Sequence, residues 1–208
     1  MPANNPTRRT FVIGGAALLA SIAVGADIRP LVTEADMLRP PGSLPEDAFM
    51  ARCIKCERCI SVCPTDVLEP VGIEGGLLQA RTPRLTFAND SCTFCDLCRQ
   101  VCPTAAIGLV DDPWAPDQGR IGAAILHEDR CLAFLETDSC GICVDACPYE
   151  ALSFDAGRRP VVDEAKCNGC GECVKICPAN VFTSFSGGKA RGIEVVTEKT
   201  LQKEKDAR

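Results

Sequence analysis

The sequence predicts an α+β fold of two tandem units, in which short helices and β-hairpins surround cysteine-rich loops. The chain has 208 residues and sixteen cysteines, which fall into four sets of four with none left over. Only 5% of the residues are aromatic, so large side chains are too few to fill two cores of ordinary size. Bound inorganic groups would occupy that space and hold small domains together.

Each set of cysteines closes with a Cys-Pro pair. Three sets have the spacing CxxCxxCxxxCP, and the remaining set keeps the CxxCxxxCP end with its first cysteine farther upstream. Three closely spaced thiolates on a tight loop reach three iron corners of a [4Fe-4S] cubane, and the cysteine before proline serves the neighbouring cluster. The sequence therefore predicts four [4Fe-4S] clusters in two tandem bacterial-type 2[4Fe-4S] ferredoxin-like units.

The predicted cofactor ligands are all sixteen cysteines, and no catalytic residue is predicted. In chain order they are Cys53, Cys56, Cys59, Cys63, Cys92, Cys95, Cys98, Cys102, Cys131, Cys140, Cys143, Cys147, Cys167, Cys170, Cys173 and Cys177. We expect sequential pairing, in which Cys102 completes the cluster of set one and Cys63 that of set two. Likewise, Cys177 completes the cluster of set three and Cys147 that of set four. A nested pairing, of set one with four and two with three, stays open because spacing alone does not fix pairing.

The third set departs from the pattern, because eight residues separate Cys131 from Cys140 instead of two. We expect Cys131 to ligate across a small loop, since the count of sixteen leaves no substitute cysteine. The alternative is a three-iron cluster or an oxygen ligand, for which Asp138 lies nearby.

Three other cysteine chemistries fit the pattern less well. Disulfide frameworks do not require one spacing and one proline to recur. Zinc sites favour two separated CxxC pairs and often histidine, and His127 is the only histidine. A thioredoxin-like site needs one CxxC beside a βαβ pattern. Sixteen organised thiols favour iron–sulfur clusters.

The spacers between the sets predict the β-hairpins. Residues 148–166 contain the alternating segment Ala151–Phe154, a Gly-Arg-Arg turn and Val161-Val162, which together predict a hairpin joining sets three and four. The longer spacer 64–91 permits the same pairing with a glycine-interrupted insertion before the extended segment Arg84–Phe87. A further hairpin is expected over 181–196, followed by a charged, frayed end.

These signals divide the chain into six segments. They are a signal segment at 1–26, an N-terminal extension at 27–46, ferredoxin-like unit 1 at 47–112, a linker at 113–120, ferredoxin-like unit 2 at 121–197 and a charged tail at 198–208. The linker follows from the Asp- and Pro-rich run 111–117, where Trp114 is expected to pack as an anchor.

The first 26 residues are typical of a twin-arginine (Tat) signal. The pair Arg8-Arg9 precedes an apolar stretch of sixteen residues, which is short for a membrane span of about 20. Small residues at Val24–Ala26 suit cleavage. Export through the Tat translocase carries folded proteins with their clusters, so we expect a periplasmic protein, with peripheral membrane association possible.

The net charge of the chain and the absence of two nucleotide-binding motifs restrict the functions that the sequence allows. The net charge is −6, and loss of the signal leaves 20 basic against 28 acidic residues, or −8. This acidity disfavours nucleic acid and favours partners with basic docking faces, such as many c-type cytochromes. The sequence contains no Walker A loop and no GxGxxG after a predicted strand. We therefore expect an electron carrier that is not itself an enzyme.

Several motifs resemble those of the NapG/MauM family of periplasmic ferredoxin-type proteins. They are the twin-arginine leader, Leu38–Gly42 with Phe49 before Cys53, the four cysteine sets, and Ile121–Leu126 ahead of Cys131-Leu132-Ala133-Phe134. The resemblance covers most of residues 7–182. It departs in the second set, which NapG proteins typically stretch, and in the fourth, whose proline NapG often lacks.

This resemblance implies a specific place in electron transfer. Four [4Fe-4S] clusters would pass electrons from a membrane quinol-oxidising iron–sulfur partner of the NapH type to a periplasmic acceptor, notably a nitrate reductase system. The alternative is an electron-transfer or maturation subunit that serves a periplasmic dehydrogenase, as in the MauM role. Either role makes the chain a non-catalytic subunit of an oxidoreductase system.

Overall fold

A computed structural model describes residues 36–108, 119–135, 140–179 and 191–207. Within these ranges, helices α1–α6 span Glu46–Arg52, Arg58–Ser61, Leu97–Gln100, Ile142–Asp145, Glu172–Ile176 and Glu198–Asp206. Strands β1–β6 span Leu68–Pro70, Pro83–Leu85, Ala123–Leu126, Leu152–Phe154, Pro160–Val162 and Ile193–Val196. Short helices and small two-stranded sheets agree with the predicted α+β class. The signal segment, Trp114 and Asp138 lie outside the described residues.

Two predicted hairpins are confirmed. Strands β4 and β5 pair antiparallel, with Leu152 opposite Val162. Their turn is closed by Asp155, whose Oδ1 accepts hydrogen bonds from the backbone of Gly157 and Arg159, each at 2.8 Å. Strands β1 and β2 pair in the same way in the first unit, and the insertion between them contains a short 3-10 turn at Ile73–Gly75.

The sequence did not predict the third sheet. Strand β6 pairs antiparallel with β3, with Ala123 opposite Val196 and Leu126 opposite Ile193. The other arm of the hairpin expected over 181–196 lies largely outside the described residues. Pairing with β3 brings together segments about seventy residues apart, which local sequence does not specify.

One hydrophobic cluster connects the two predicted units. It contains Phe49, Phe87 and Ile107 from the first unit, together with Ile121 and Val195 from the second, all buried. Two smaller clusters lie in the second unit, and one of them also includes Leu201 of the segment that follows it. The two units therefore share one hydrophobic core, and each unit buries apolar side chains in it.

The N-terminal extension packs against the first unit. The backbone N–H of Leu85 donates to the Leu38 carbonyl at 2.9 Å, so the extension lies beside strand β2. Arg39 is buried, with an 8% exposed side chain, and its guanidinium pairs with Glu46 at 2.5 Å. The same guanidinium donates to Thr82 Oγ1 at 2.8 Å. Residues 36–46 of the extension are thus part of the folded unit.

The prediction of a frayed C-terminal end is wrong, because Glu198–Asp206 form helix α6. Thr197 caps it, accepting a hydrogen bond from the backbone N–H of Thr200 at 3.2 Å. Leu201 is buried against β3 and β6 beside Ile125. Of the helices in the described ranges, none is long and apolar enough to cross a membrane.

Candidate metal centres

All sixteen cysteines lie in the described ranges, and none forms a disulfide. They gather into four groups, which we name sites A to D. Site A consists of Cys53, Cys56, Cys59 and Cys102; site B of Cys63, Cys92, Cys95 and Cys98; site C of Cys131, Cys140, Cys143 and Cys177; site D of Cys147, Cys167, Cys170 and Cys173. Every group joins three cysteines of one set to the last cysteine of the adjacent set. The thiols are therefore grouped as in sequential pairing and not as in nested pairing.

Sites A, B and D each surround a cavity of nearly the same size. The space between the lining atoms, mouth included, is about 360 Å³ at site A, about 350 Å³ at site B and about 340 Å³ at site D. The other lining residues differ from site to site, whereas the four thiols recur. Three sites therefore enclose cavities of similar volume, with different side chains around the four thiols.

The backbone explains how one loop presents three thiols. In sites A, B and D, the residues on either side of the middle cysteine have left-handed backbone angles. They are Lys55, Glu57, Phe94, Asp96, Gly169 and Gly171, with φ between 52° and 83°. These reversals curl the loop around the cavity, and a short helix carrying the third cysteine begins directly afterwards.

Site C has a different loop. Gly141, which follows Cys140, has an extended φ of −152°, and residues 136–139 lie outside the described ranges. Cys131 is nevertheless buried at 7% exposure. Its neighbours include Cys140 and Cys177, so the long spacing still brings Cys131 to its group.

Hydrogen-bond donors face the sulfur atoms. The backbone N–H of Ala151 donates to Cys147 Sγ at 3.3 Å, and that of Ala124 donates to Cys167 Sγ at 3.4 Å. Donors of this kind stabilise thiolate charge and tune cluster potentials.

Two threonines that the sequence reasoning missed have a related position. Thr65 Oγ1 lies 3.6 Å from Cys63 Sγ, and Thr104 Oγ1 lies 3.8 Å from Cys102 Sγ. Both follow a Cys-Pro pair directly, so the repeated Cys-Pro-Thr was the signal that could have found them. The hydroxyls are placed to stabilise two of the four thiols that cross between cysteine sets, both of them in the first unit.

Burial raises the pKa of seven of these sixteen thiols. Desolvation, together with repulsion by the neighbouring thiolates, raises the pKa of Cys59 to about 11 and that of Cys143 to about 12. The pKa of Cys92 is likewise raised to about 12, mainly by burial. At Cys102 burial also acts to raise the pKa, but backbone hydrogen bonds from Ile107 and its neighbours outweigh it and lower the pKa below its usual value. Metal binding at such sites must displace protons.

The donor set fits an iron–sulfur cubane. Each group offers four thiols, the ligand that dominates iron–sulfur ligation. In the described part of the chain, no three His, Cys, Asp or Glu side chains converge closely enough to hold a single metal ion. Four thiols around a shared cavity suit a larger inorganic core.

Comparison with known proteins agrees with this chemistry. The family described as 4Fe-4S dicluster domain matches residues 52–106 and 137–197. The methylamine utilization ferredoxin-type protein MauM of Methylophilus methylotrophus is 36% identical over 176 residues, covering 78% of this chain and 76% of that protein. The ferredoxin-type protein NapG of Escherichia coli (strain K12) is 32% identical over 159 residues, covering 73% and 68%. This chain belongs to the NapG/MauM family of ferredoxin-type proteins.

A third relative is shorter. The ferredoxin-type protein NapF of Escherichia coli (strain K12) is 31% identical over 136 residues, covering 64% of this chain and 74% of that protein. The two dicluster regions of our NapG/MauM-type chain contain fifteen of the cysteines, and Cys131 alone lies outside them, between the two. The chain is therefore an iron–sulfur protein with two 4Fe-4S dicluster regions.

The structure also explains one of the motifs behind the family resemblance. Arg39, in the Leu38–Gly42 segment, stacks over the ring of Phe49. Phe49 is fully buried and lines the cavity of site A. The motif thus connects the N-terminal extension to a candidate metal centre.

Proposed function

We propose that sites A to D each bind one [4Fe-4S] cluster and that the chain relays electrons in the periplasm. The observation that carries this proposal is the near-equal cavity at sites A, B and D, each lined by four thiols. When bound, such clusters exchange single electrons without making or breaking substrate bonds. The sixteen cysteines are the ligands, and the chain acts as a carrier without a catalytic residue.

The protein's own groups adjust and protect these centres. Backbone N–H groups donate to two of the sulfur atoms, which favours the thiolate form. The hydroxyls of Thr65 and Thr104 lie beside two others and can donate to them as thiolates. Five of the sixteen ligand cysteines are buried, which limits the access of water to them and so affects both cluster stability and potential.

The first experiment is quantification of iron and acid-labile sulfide in the anaerobically purified mature protein, with EPR after dithionite reduction. We expect about sixteen iron and sixteen sulfide per chain, with spin-coupled S = 1/2 signals. Zinc at the sites, or about twelve iron or fewer, would contradict four clusters.

Two variants test whether Cys131 or Asp138 supplies the fourth ligand of site C. If Cys131 is a ligand, Cys131→Ala changes the iron content or the cluster type, whereas Asp138→Ala leaves about sixteen iron in place. The reverse result would assign the fourth ligand to oxygen.

For the pathway, we propose electron donation by a membrane quinol-oxidising iron–sulfur partner of the NapH type and delivery to a periplasmic reductase system such as nitrate reductase. The identity to NapG over 73% of the chain supports this assignment. Reconstitution with the partner in quinol-containing vesicles should bleach the clusters' visible absorption. Vesicles without the partner are the control, and equal reduction in both would contradict the assignment.

The second candidate is a carrier or maturation subunit that serves a periplasmic dehydrogenase. The specific observation in its favour is that MauM proteins reach 36% identity, against 32% for NapG. Reduction by a substrate-reduced dehydrogenase, with none by quinol through the membrane partner, would select this candidate.

The location follows from the leader and is a separate proposal. We propose that the Tat translocase exports the folded protein through recognition of Arg8 and Arg9. The double variant Arg8→Lys/Arg9→Lys keeps the charge, yet it should leave the protein in the cytoplasm with its clusters loaded. Unchanged periplasmic amounts of this variant would refute Tat export. The acidic mature chain further favours acceptors with basic faces, such as c-type cytochromes.

A further inference from the structure

We propose that the four sites form one line in the order A, B, D, C, and that electrons cross between the two units where sites B and D meet. The inference rests on the proposed function, because it requires a cluster at each site. It differs from the chain order of the cysteine sets, which would place the third set next to the second.

The backbones of sites B and D are in direct contact. The N–H of Cys92, a site B thiol, donates to the carbonyl oxygen of Cys170, a site D thiol, at 2.8 Å. Next to it, Gly171 lies so close to the ring of Phe87 that a Cβ at this position would overlap the ring. Ligand-bearing loops of the two units therefore touch without an intervening side-chain layer.

Polar side chains also connect the loops of sites B and D. Lys175 Nζ lies 2.8 Å from Asp90 Oδ1, and Ser91 Oγ donates to Glu172 Oε2 at 2.5 Å. Asp90 and Ser91 immediately precede Cys92, whereas Glu172 and Lys175 flank Cys173. These contacts hold the two loops in a fixed register.

Aromatic rings fill the space beside the contact. Phe94 lies between two site B cysteines, and its ring meets that of Tyr149 edge to face, with centroids 6.3 Å apart and an interplanar angle of 82°. Tyr149 follows the site D cysteine Cys147 by two residues and packs against both larger hydrophobic clusters. The B–D junction is thus closely packed, with aromatic rings beside the polar contacts.

The other two junctions lie within the units. Cys59 of site A and Cys98 of site B are buried in one hydrophobic cluster, and their helices α2 and α3 pack together. Cys143 of site C packs against the cluster that contains Cys173 of site D, and helices α4 and α5 pack together. Site B therefore lies between A and D, and site D lies between B and C.

Single residues of the CxxC segments differ in exposure between the end and inner sites. Ile54 of site A is 63% exposed and Ile142 of site C is 43% exposed, whereas Phe94 of site B and Asn168 of site D are each 2% exposed. The cysteines do not follow this division, because Cys95 of site B is exposed like Cys56 of site A. The order therefore rests on the contacts between the sites.

Transfer between the two inner sites, B and D, moves a single electron. One electron leaves the reduced group at one inner site, which is thereby oxidised, and it reduces the oxidised group at the other inner site. No bond or proton is exchanged. The proposed quinol-oxidising partner supplies the electrons that fill the line.

EPR of the dithionite-reduced, cluster-loaded protein tests the order through single ligand variants. Loss of inner site B in Cys95→Ala should isolate site A, and loss of inner site D in Cys167→Ala should isolate site C. Each variant should show a narrow, uncoupled S = 1/2 signal of one spin. The matched end-site controls Cys56→Ala and Cys140→Ala should show only coupled signals, because three neighbouring sites remain.

Uncoupled signals from the end-site variants instead would overturn the order. Iron content of about twelve must accompany each variant, and serine replaces alanine wherever more iron is lost.

A second measurement does not depend on the clusters' spins. Treatment of the loaded protein with a zero-length carbodiimide should join Asp90 to Lys175 and link the peptides of sites B and D in mass spectra. Lys175→Arg keeps the charge but should abolish this link, because the guanidinium does not form the amide. Absence of the link in the unmodified protein would refute the B–D contact.

The outcomes separate this inference from the proposed function. A folded protein whose sites hold a group other than [4Fe-4S] clusters would give no such EPR signals yet would still cross-link at Asp90 and Lys175. A chain with four reducible clusters but a different pattern of uncoupled signals would keep the relay function and lose the order A, B, D, C.

Discussion

The guanidinium carbon of Arg39 lies 4.7 Å from the centroid of the Phe49 ring. Phe49 is 0% exposed and lines the cavity of site A, so a cation from the N-terminal extension stacks on a ring that borders this site. The same guanidinium donates to two oxygens of Glu46, at 2.9 Å and 2.5 Å. The extension is therefore coupled to the stability of a metal centre.

Substitution Arg39→Ala should destabilise the loaded protein by about 3 kcal/mol, because it removes one partner of a largely buried ion pair and leaves Thr82 without its donor. Arg39→Lys keeps the charge but cannot donate as a fork or stack over the ring, so its loss should be smaller. Anaerobic denaturant unfolding measures both. Equal stability of the alanine variant and the unmodified protein would show that the pair contributes nothing.

Substitution Phe49→Ala should cost about 3–5 kcal/mol, since it empties a fully buried ring volume beside site A. Phe154→Ala is the matched control, because Phe154 is 37% exposed and its removal leaves a smaller cavity. Thermal unfolding and iron content together test this prediction. A similar loss of stability in the two variants would argue against a special role for Phe49.

The grouping of the thiols predicts how double ligand variants behave. Cys56→Ala/Cys102→Ala removes two ligands of site A only, so about twelve iron should remain. Cys56→Ala/Cys95→Ala removes one ligand from each of sites A and B, so about eight should remain. Nested pairing predicts about eight for the first pair as well, which makes iron quantification decisive.

Gly171 should not tolerate a side chain. Its φ is +83° and a Cβ would overlap the Phe87 ring, so Gly171→Ala should destabilise the protein by about 1–2 kcal/mol or more from backbone conformation alone. Gly157→Ala is the control, since its Cβ would come no closer than 3.4 Å to Asp155 Oδ1. The two melting temperatures, measured anaerobically, should differ clearly, and no difference would contradict the packing at the B–D junction.

Helix α6 should contribute to stability despite its charge. Leu201→Ala should cost about 2–5 kcal/mol, because Leu201 is 6% exposed against strands β3 and β6. Lys203→Ala, on the exposed face, should change stability by no more than about 0.5 kcal/mol. If the end were frayed, both variants would unfold at the same denaturant concentration as the unmodified chain.

The hairpins and the thiol loops could be predicted because their signals are local. The strands around Leu152 and Val162 are joined by a short turn, and a loop of seven residues sets its own cysteine spacing. Helix α6 was missed because its many charges conceal the single buried Leu201. The Cys-Pro-Thr repeat was visible in the sequence, but the nearness of Thr65 and Thr104 to sulfur was not.

By itself, the sequence determined the four cysteine sets, their cluster chemistry, the family and the short elements, since all of these depend on residue types at close spacing. Only the tertiary structure decided which sets share a site, that β6 pairs with β3, and that Cys92 contacts Cys170. These contacts join segments far apart in the chain, where many alternative pairings satisfy the same local pattern. Burial of apolar surface common to both units selects among them, and local spacing does not encode that choice.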